Sequence, residues 1–126
     1  MAYKTDYARV RGLGSAHEGV GHWWTQRLTS IALIVLTPLF VIPFGRALGN
    51  GHEALVATYS SWGHGFVAAA FLLVGAVHLM HGLQVVIEDY VPNHSLRTAL
   101  LVANTLFGWT LGAAGVLGVA TLLFSA

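Results

Sequence analysis

Three residues of this chain combine types and spacing that could do chemistry: His78 within a long apolar run, and Asp89-Tyr90 where that run reaches polar sequence. Ionisable groups inside apolar, membrane-length segments are costly and tend to mark functional sites. A neutral imidazole offers a lone pair and is the usual protein ligand to haem iron. A phenol can donate a hydrogen bond to a quinone carbonyl, and a neighbouring carboxylate can orient it and relay protons. Plainer readings stand beside these. His78 could simply hydrogen-bond to a neighbouring helix, and an Asp-Tyr pair at a membrane edge could be an interfacial anchor.

On a helix at about 100° per residue, Phe71, Gly75, Gly82 and Asp89 fall on one stripe with His78. Glycines before and after the histidine leave room for a flat macrocycle, although small residues also serve close helix contact. At ~1.5 Å per residue, His78 stands roughly 16 Å along the axis from Asp89, about half of the ~30 Å hydrocarbon core. The stripe and the depth favour haem. A six-coordinate haem b needs a ligand on each face, and the other two apolar stretches contain neither His nor Met. The opposite ligand would therefore come from another polypeptide. His64, between Gly63 and Gly65, has the spacing of a second haem ligand but reads as a solvated residue at the far interface. His81 reads as a packing neighbour of His78, and His17, His52 and His94 as solvated loop residues.

The elements that must position these residues follow from composition. The chain has 126 residues, 56% hydrophobic and 9% charged, outside the range of ordinary soluble domains. Three apolar stretches, about 28–48, 62–88 and 98–124, each approach or exceed the ~20 residues that span a bilayer. The expected class is an all-α membrane protein with three transmembrane helices and a single membrane-anchor domain over 1–126, preceded by a polar segment at 1–27. Barrel strands would alternate over about ten residues, which these continuous runs do not. The N-terminal segment carries Lys4, Asp6, Arg9, Arg11, His17 and Glu18 and no apolar core, so a cleaved signal peptide is not expected. With no cysteine, the chain cannot hold an iron-sulfur cluster through thiolates.

Lys4, Arg9, Arg11 and Arg27 precede the first span and Arg97 follows the second, whereas the other side has only Arg46. The inside-positive bias therefore predicts a cytoplasmic N-terminus and places Asp89-Tyr90 at the inner surface. Pro38 and Pro43 lie inside the first span, a defect membrane helices tolerate, and Pro92-Asn93 is a stop signal after Tyr90. The third span has no ionisable residue, and its Gly108, Gly112, Gly115 and Gly118 offer close helix contact. No repeat or low-complexity tract interrupts the chain.

The order His78, Gly82, Asp89-Tyr90 on the middle of three helices closely resembles the hydrophobic membrane anchor subunits of succinate dehydrogenase, respiratory complex II. Ser15-Ala16, Trp23-Trp24 and Gln26-Arg27-Leu28-Thr29-Ser30 before the first span resemble the alphaproteobacterial members. The likeness covers nearly the whole chain. Gln26-Arg27 fits the anchor better than the sister cytochrome b subunit, whose Ser-x-x-x-Arg hallmark is not obvious here.

The resemblance implies a chain in the bacterial inner membrane that moors the flavoprotein and iron-sulfur subunits beside the cytochrome b subunit. It implies that His78 gives one axial ligand to a shared haem b, and that Tyr90 and Asp89 line a ubiquinone site. Arg27 matches a family arginine near the haem, where it could pair with a propionate, and His22 is a second candidate for that role. FAD and the iron-sulfur clusters would belong to partner subunits, so no catalytic residue is expected here and the isolated chain should lack dehydrogenase activity. Lipid is expected around it and nucleic acid is not, and whether the heterotetramers form trimers is left open. Other readings are a fumarate reductase anchor, a haem-free structural anchor, and a histidine-containing transporter, against which the absence of paired ionisable residues on several helices speaks.

Overall fold

The computed structural model of the chain describes residues 5–11 and 19–124. Lys4, Ser15, Ala16, His17 and Glu18 lie outside the described residues, as does the side chain of Arg9. The described residues form helices only: α1 (Asp6–Arg11), α2 (Val20–Leu48), α3 (His52–Tyr59), α4 (Trp62–Tyr90) and α5 (His94–Phe124). α2, α4 and α5 are each long and apolar enough to cross a membrane.

The helix ends differ from the sequence expectation in ways that bear on the site. α2 starts at Val20, so His22, Gln26 and Arg27 are helical residues rather than part of a polar leader. Their polarity mimics a loop, but no proline lies between Val20 and Leu28, Gly21 sits in the first turn where it costs little, and the helix continues through. His52 and His94 are exposed but open helices rather than sitting in loops. Asn93 caps α5 by accepting a hydrogen bond from the Leu96 backbone N–H at 3.0 Å, which reduces the second connection to residues 91–93. The first connection contains α3, entered through Gly51 at φ 88°, a left-handed conformation that favours glycine.

α4 is the middle of the bundle. It packs against α5 along one side and α2 along another, while α2 and α5 do not meet. Asn104 of α5 is buried and donates to the Met80 carbonyl at 2.8 Å. A Cβ at Gly108 would come within 2.9 Å of Met80, and one at Gly115 within 3.0 Å of Leu72, so these glycines set the α4–α5 distance. Gly118 has no such neighbour.

At the other end, Tyr59, Ala68 and Val119 form a small core with Phe40 and Leu55 packed against it. Tyr59 donates its hydroxyl hydrogen to the Phe40 carbonyl at 3.0 Å, three residues before Pro43, where the proline weakens the local helix bonding. α2 remains helical through both prolines.

Little of this bundle is inside. Only five hydrophobic residues are buried among the described residues, and many large apolar side chains, including Ile34, Phe66, Leu106 and Leu117, face outward. Such a surface is at rest against lipid or other helices rather than water.

Candidate functional site

α4 turns His78 toward α2. Its Nδ1 lies 3.0 Å from the Thr29 hydroxyl, and its Nε2 lies 3.4 Å from the side-chain nitrogen of Gln26. Gln26 and Thr29 are three residues apart and so share one face of α2. The Gln26 carboxamide oxygen is buried and has no hydrogen-bond partner among the described residues.

The glycines around His78 have different surroundings. A Cβ at Gly75 would meet nothing within 4 Å, and one at Gly82 would meet only the Gln26 side-chain nitrogen, at 3.6 Å. Neither is therefore required by helix packing within this chain, unlike Gly108 and Gly115. Phe71, at the other end of the stripe, stacks on Phe40 of α2 with ring centroids 4.5 Å apart.

One turn beyond His78, His81 packs against His22, with ring centroids 4.6 Å apart. His22 Nε2 and His81 Nδ1 are both buried without a hydrogen-bond partner among the described residues. They line a cavity of about 710 Å³ together with Thr25, Gln84 and Glu88, where Gln84 donates to the Glu88 carboxylate at 2.8 Å. Two histidines in the wall of a polar cavity mark a place that suits water or an anionic group.

Other residues singled out in the sequence stand apart from this cluster. Arg27 is exposed, with its guanidinium 5.2 Å over the Trp23 ring. Asp89 and Tyr90 end α4 in the open: Tyr90 is 80% exposed, and neither side chain has a hydrogen-bond partner among the described residues. His64 is exposed, bonded to Ser61 at 2.9 Å, and lies at the opposite end of α4.

The structure thus brings together His78, His81 and His22, and adds Thr29 and Gln26, whose part in the site is not legible from sequence alone. Their signal was available in part. Gln26 and Thr29 have helix-face spacing, but it becomes informative only when α2 is extended back to Val20. No group of three or more His, Asp or Glu side chains is arranged to hold a metal ion among the described residues. A metal held through His78 would need further ligands from a macrocycle or from another chain.

His78 fits an axial haem ligand on the chemistry of its surroundings. Its Nε2 lies against the rotatable Gln26 carboxamide, and the glycines at 75 and 82 add no side chain of their own beside the ring.

Residues 1–117 match the family described as succinate dehydrogenase/fumarate reductase transmembrane subunit. The chain is 38% identical over 122 residues to the succinate dehydrogenase hydrophobic membrane anchor subunit of Paracoccus denitrificans, covering 97% of this chain and 94% of that one. The subunit of the same description from Rickettsia bellii is 30% identical over 106 residues, covering 83% and 84% of the two chains. That from Rickettsia conorii is 30% identical over 107 residues. No solved structure matches the chain.

Proposed function

The chain belongs to the succinate dehydrogenase/fumarate reductase transmembrane subunits, and we propose that it moors the catalytic subunits, supplies His78 to a shared haem b and lines the ubiquinone site. Its relatives are hydrophobic membrane anchors of succinate dehydrogenase, which supports quinone reduction, rather than fumarate reduction, as the direction of electron flow. It is a multi-pass membrane subunit of an enzyme. Its partners on this reading are the flavoprotein, iron-sulfur and cytochrome b subunits, in the bacterial inner membrane.

The observation that carries the haem assignment is the His78 ring: its Nε2 is free of any protein acceptor and is flanked by two glycines that intrachain packing does not require. Haem supplies a one-electron redox centre when bound. His78 would hold it by the Nε2 lone pair, with a second protein ligand coming from the cytochrome b subunit. The polar cavity lined by His22, His81 and Thr25 is where the propionates would lie, with the two imidazoles in its wall. Arg27, one turn further along α2 and exposed, can reach the same anionic groups or the headgroups.

Tyr90 and Asp89 project from the end of α4, and their lack of partners within this chain suits a pocket completed by other subunits. Tyr90 donates a hydrogen bond to one quinone carbonyl, which becomes more basic as electrons arrive. Asp89 orients the phenol and passes protons toward the quinone, whose two-electron reduction takes up two protons. The basic residues before α2 and Arg97 at the start of α5 support an N-terminus and an Asp89-Tyr90 end on the cytoplasmic side.

His78→Ala, expressed with all partner subunits, tests the haem assignment. Loss of most of the haem b spectrum from an assembled complex is expected; an unchanged spectrum removes His78 as the ligand.

A further inference from the structure

We propose that Thr29 is the residue that sets the tautomer and ring orientation of His78. The inference rests on His78 being the haem ligand, and it concerns how this chain prepares that ligand. The Thr29 hydroxyl carries one hydrogen, and its oxygen lies 2.9 Å from the Thr25 carbonyl and 3.1 Å from the Gln26 carbonyl. A helical threonine hydroxyl characteristically donates to the carbonyl one turn back, and Thr29 has that geometry. Toward His78, 3.0 Å away, the hydroxyl then acts as acceptor, and Nδ1 carries the ring hydrogen.

A neutral imidazole protonated at Nδ1 has its lone pair on Nε2. The surroundings of Nε2 agree independently. Its neighbour at 3.4 Å is the Gln26 side-chain nitrogen, which can only donate. An acceptor on one ring nitrogen and a donor at the other thus select the same tautomer, the one in which Nε2 binds iron. Ser30, the adjacent hydroxyl, donates to the Gln26 carbonyl at 2.8 Å and does not contact the ring.

Gln26 lies against Nε2 and would have to turn aside for that nitrogen to hold iron; its own oxygen has no partner to hold it in place among the described residues. Thr29 stays. A hydrogen bond accepted from Nδ1–H makes the imidazole a stronger electron donor to a bound metal, as partners of metal-bound histidines generally do. Stronger donation favours the ferric state and lowers the reduction potential. Removing the hydroxyl should therefore raise it.

The test uses the complete complex purified with its partner subunits, comparing Thr29→Val, Thr29→Ser and Thr29→Ala with His78→Ala as control. Thr29→Val keeps the shape of threonine, so haem content should stay near normal while the haem b midpoint potential rises and the ferric low-spin electron paramagnetic resonance signal shifts. Thr29→Ser restores the hydroxyl and should return both toward wild type. If Thr29→Val fails to assemble, Thr29→Ala should give the same rise in potential. Wild-type potential and resonance in Thr29→Val, or in Thr29→Ala, overturn the role of Thr29 when His78→Ala has lost its haem. An unaltered haem spectrum in His78→Ala overturns the ligand assignment beneath it.

Discussion

His22 of α2 and His81 of α4 pack ring against ring, with centroids 4.6 Å apart, one helical turn from His78. Each keeps a buried nitrogen without a partner among the described residues, and both side chains help line the same polar cavity. The two helices thus set a pair of imidazoles beside the candidate haem ligand. Propionates are the anionic groups that this position suits.

His22→Leu tests that placement. Haem should remain bound through His78, while a propionate left without its donor holds more uncompensated negative charge and stabilises the ferric state. A fall in the haem midpoint potential by up to about 60 mV, the one-electron equivalent of a tenfold change in equilibrium constant, is expected from redox titration. An unchanged potential would place the propionates elsewhere.

Tyr90→Phe removes one phenolic donor from an exposed helix end and creates no cavity in this chain. Succinate-driven quinone reduction should fall by about tenfold, the rate equivalent of ~1.4 kcal/mol from one lost hydrogen bond, with haem content near normal. Loss of haem with quinone reduction retained would contradict the assignment of Tyr90.

Gly108→Val places a branched side chain where even a Cβ would come within 2.9 Å of Met80. Overpacking of this kind costs about 1–3 kcal/mol, so the detergent-solubilised complex should lose thermal stability or assemble in lower yield. Gly118→Ala, where the added Cβ meets nothing within 4 Å, should leave both nearly unchanged. Equal behaviour of the two variants would show that α4 and α5 do not rely on this close approach.

The three long helices are legible in the sequence because an uninterrupted apolar run has few alternatives in a membrane. The chemistry-bearing stripe of α4 is legible for the same reason: a histidine stands out where nearly every neighbour is apolar. The start of α2 is not. His22, Thr25, Gln26 and Arg27 look like a polar leader, and the helix that carries them is stabilised partly by the face it sets against α4. The roles of Thr29 and Gln26 depend on the register between α2 and α4, which neither segment encodes by itself. α3 is hidden too, since an eight-residue helix inside a connection gives a weak periodic signal and gains its place by docking Tyr59 over Phe40.

The central claim is that this chain anchors a quinone-reducing succinate dehydrogenase. The most direct measurement is succinate-driven reduction of a short-chain ubiquinone by the complex that co-purifies with the tagged chain in mild detergent, with and without a quinone-site inhibitor. Inhibitor-sensitive reduction by a preparation that contains the flavoprotein and iron-sulfur subunits is expected. An intact preparation with no dehydrogenase subunits and no succinate-driven activity would contradict it.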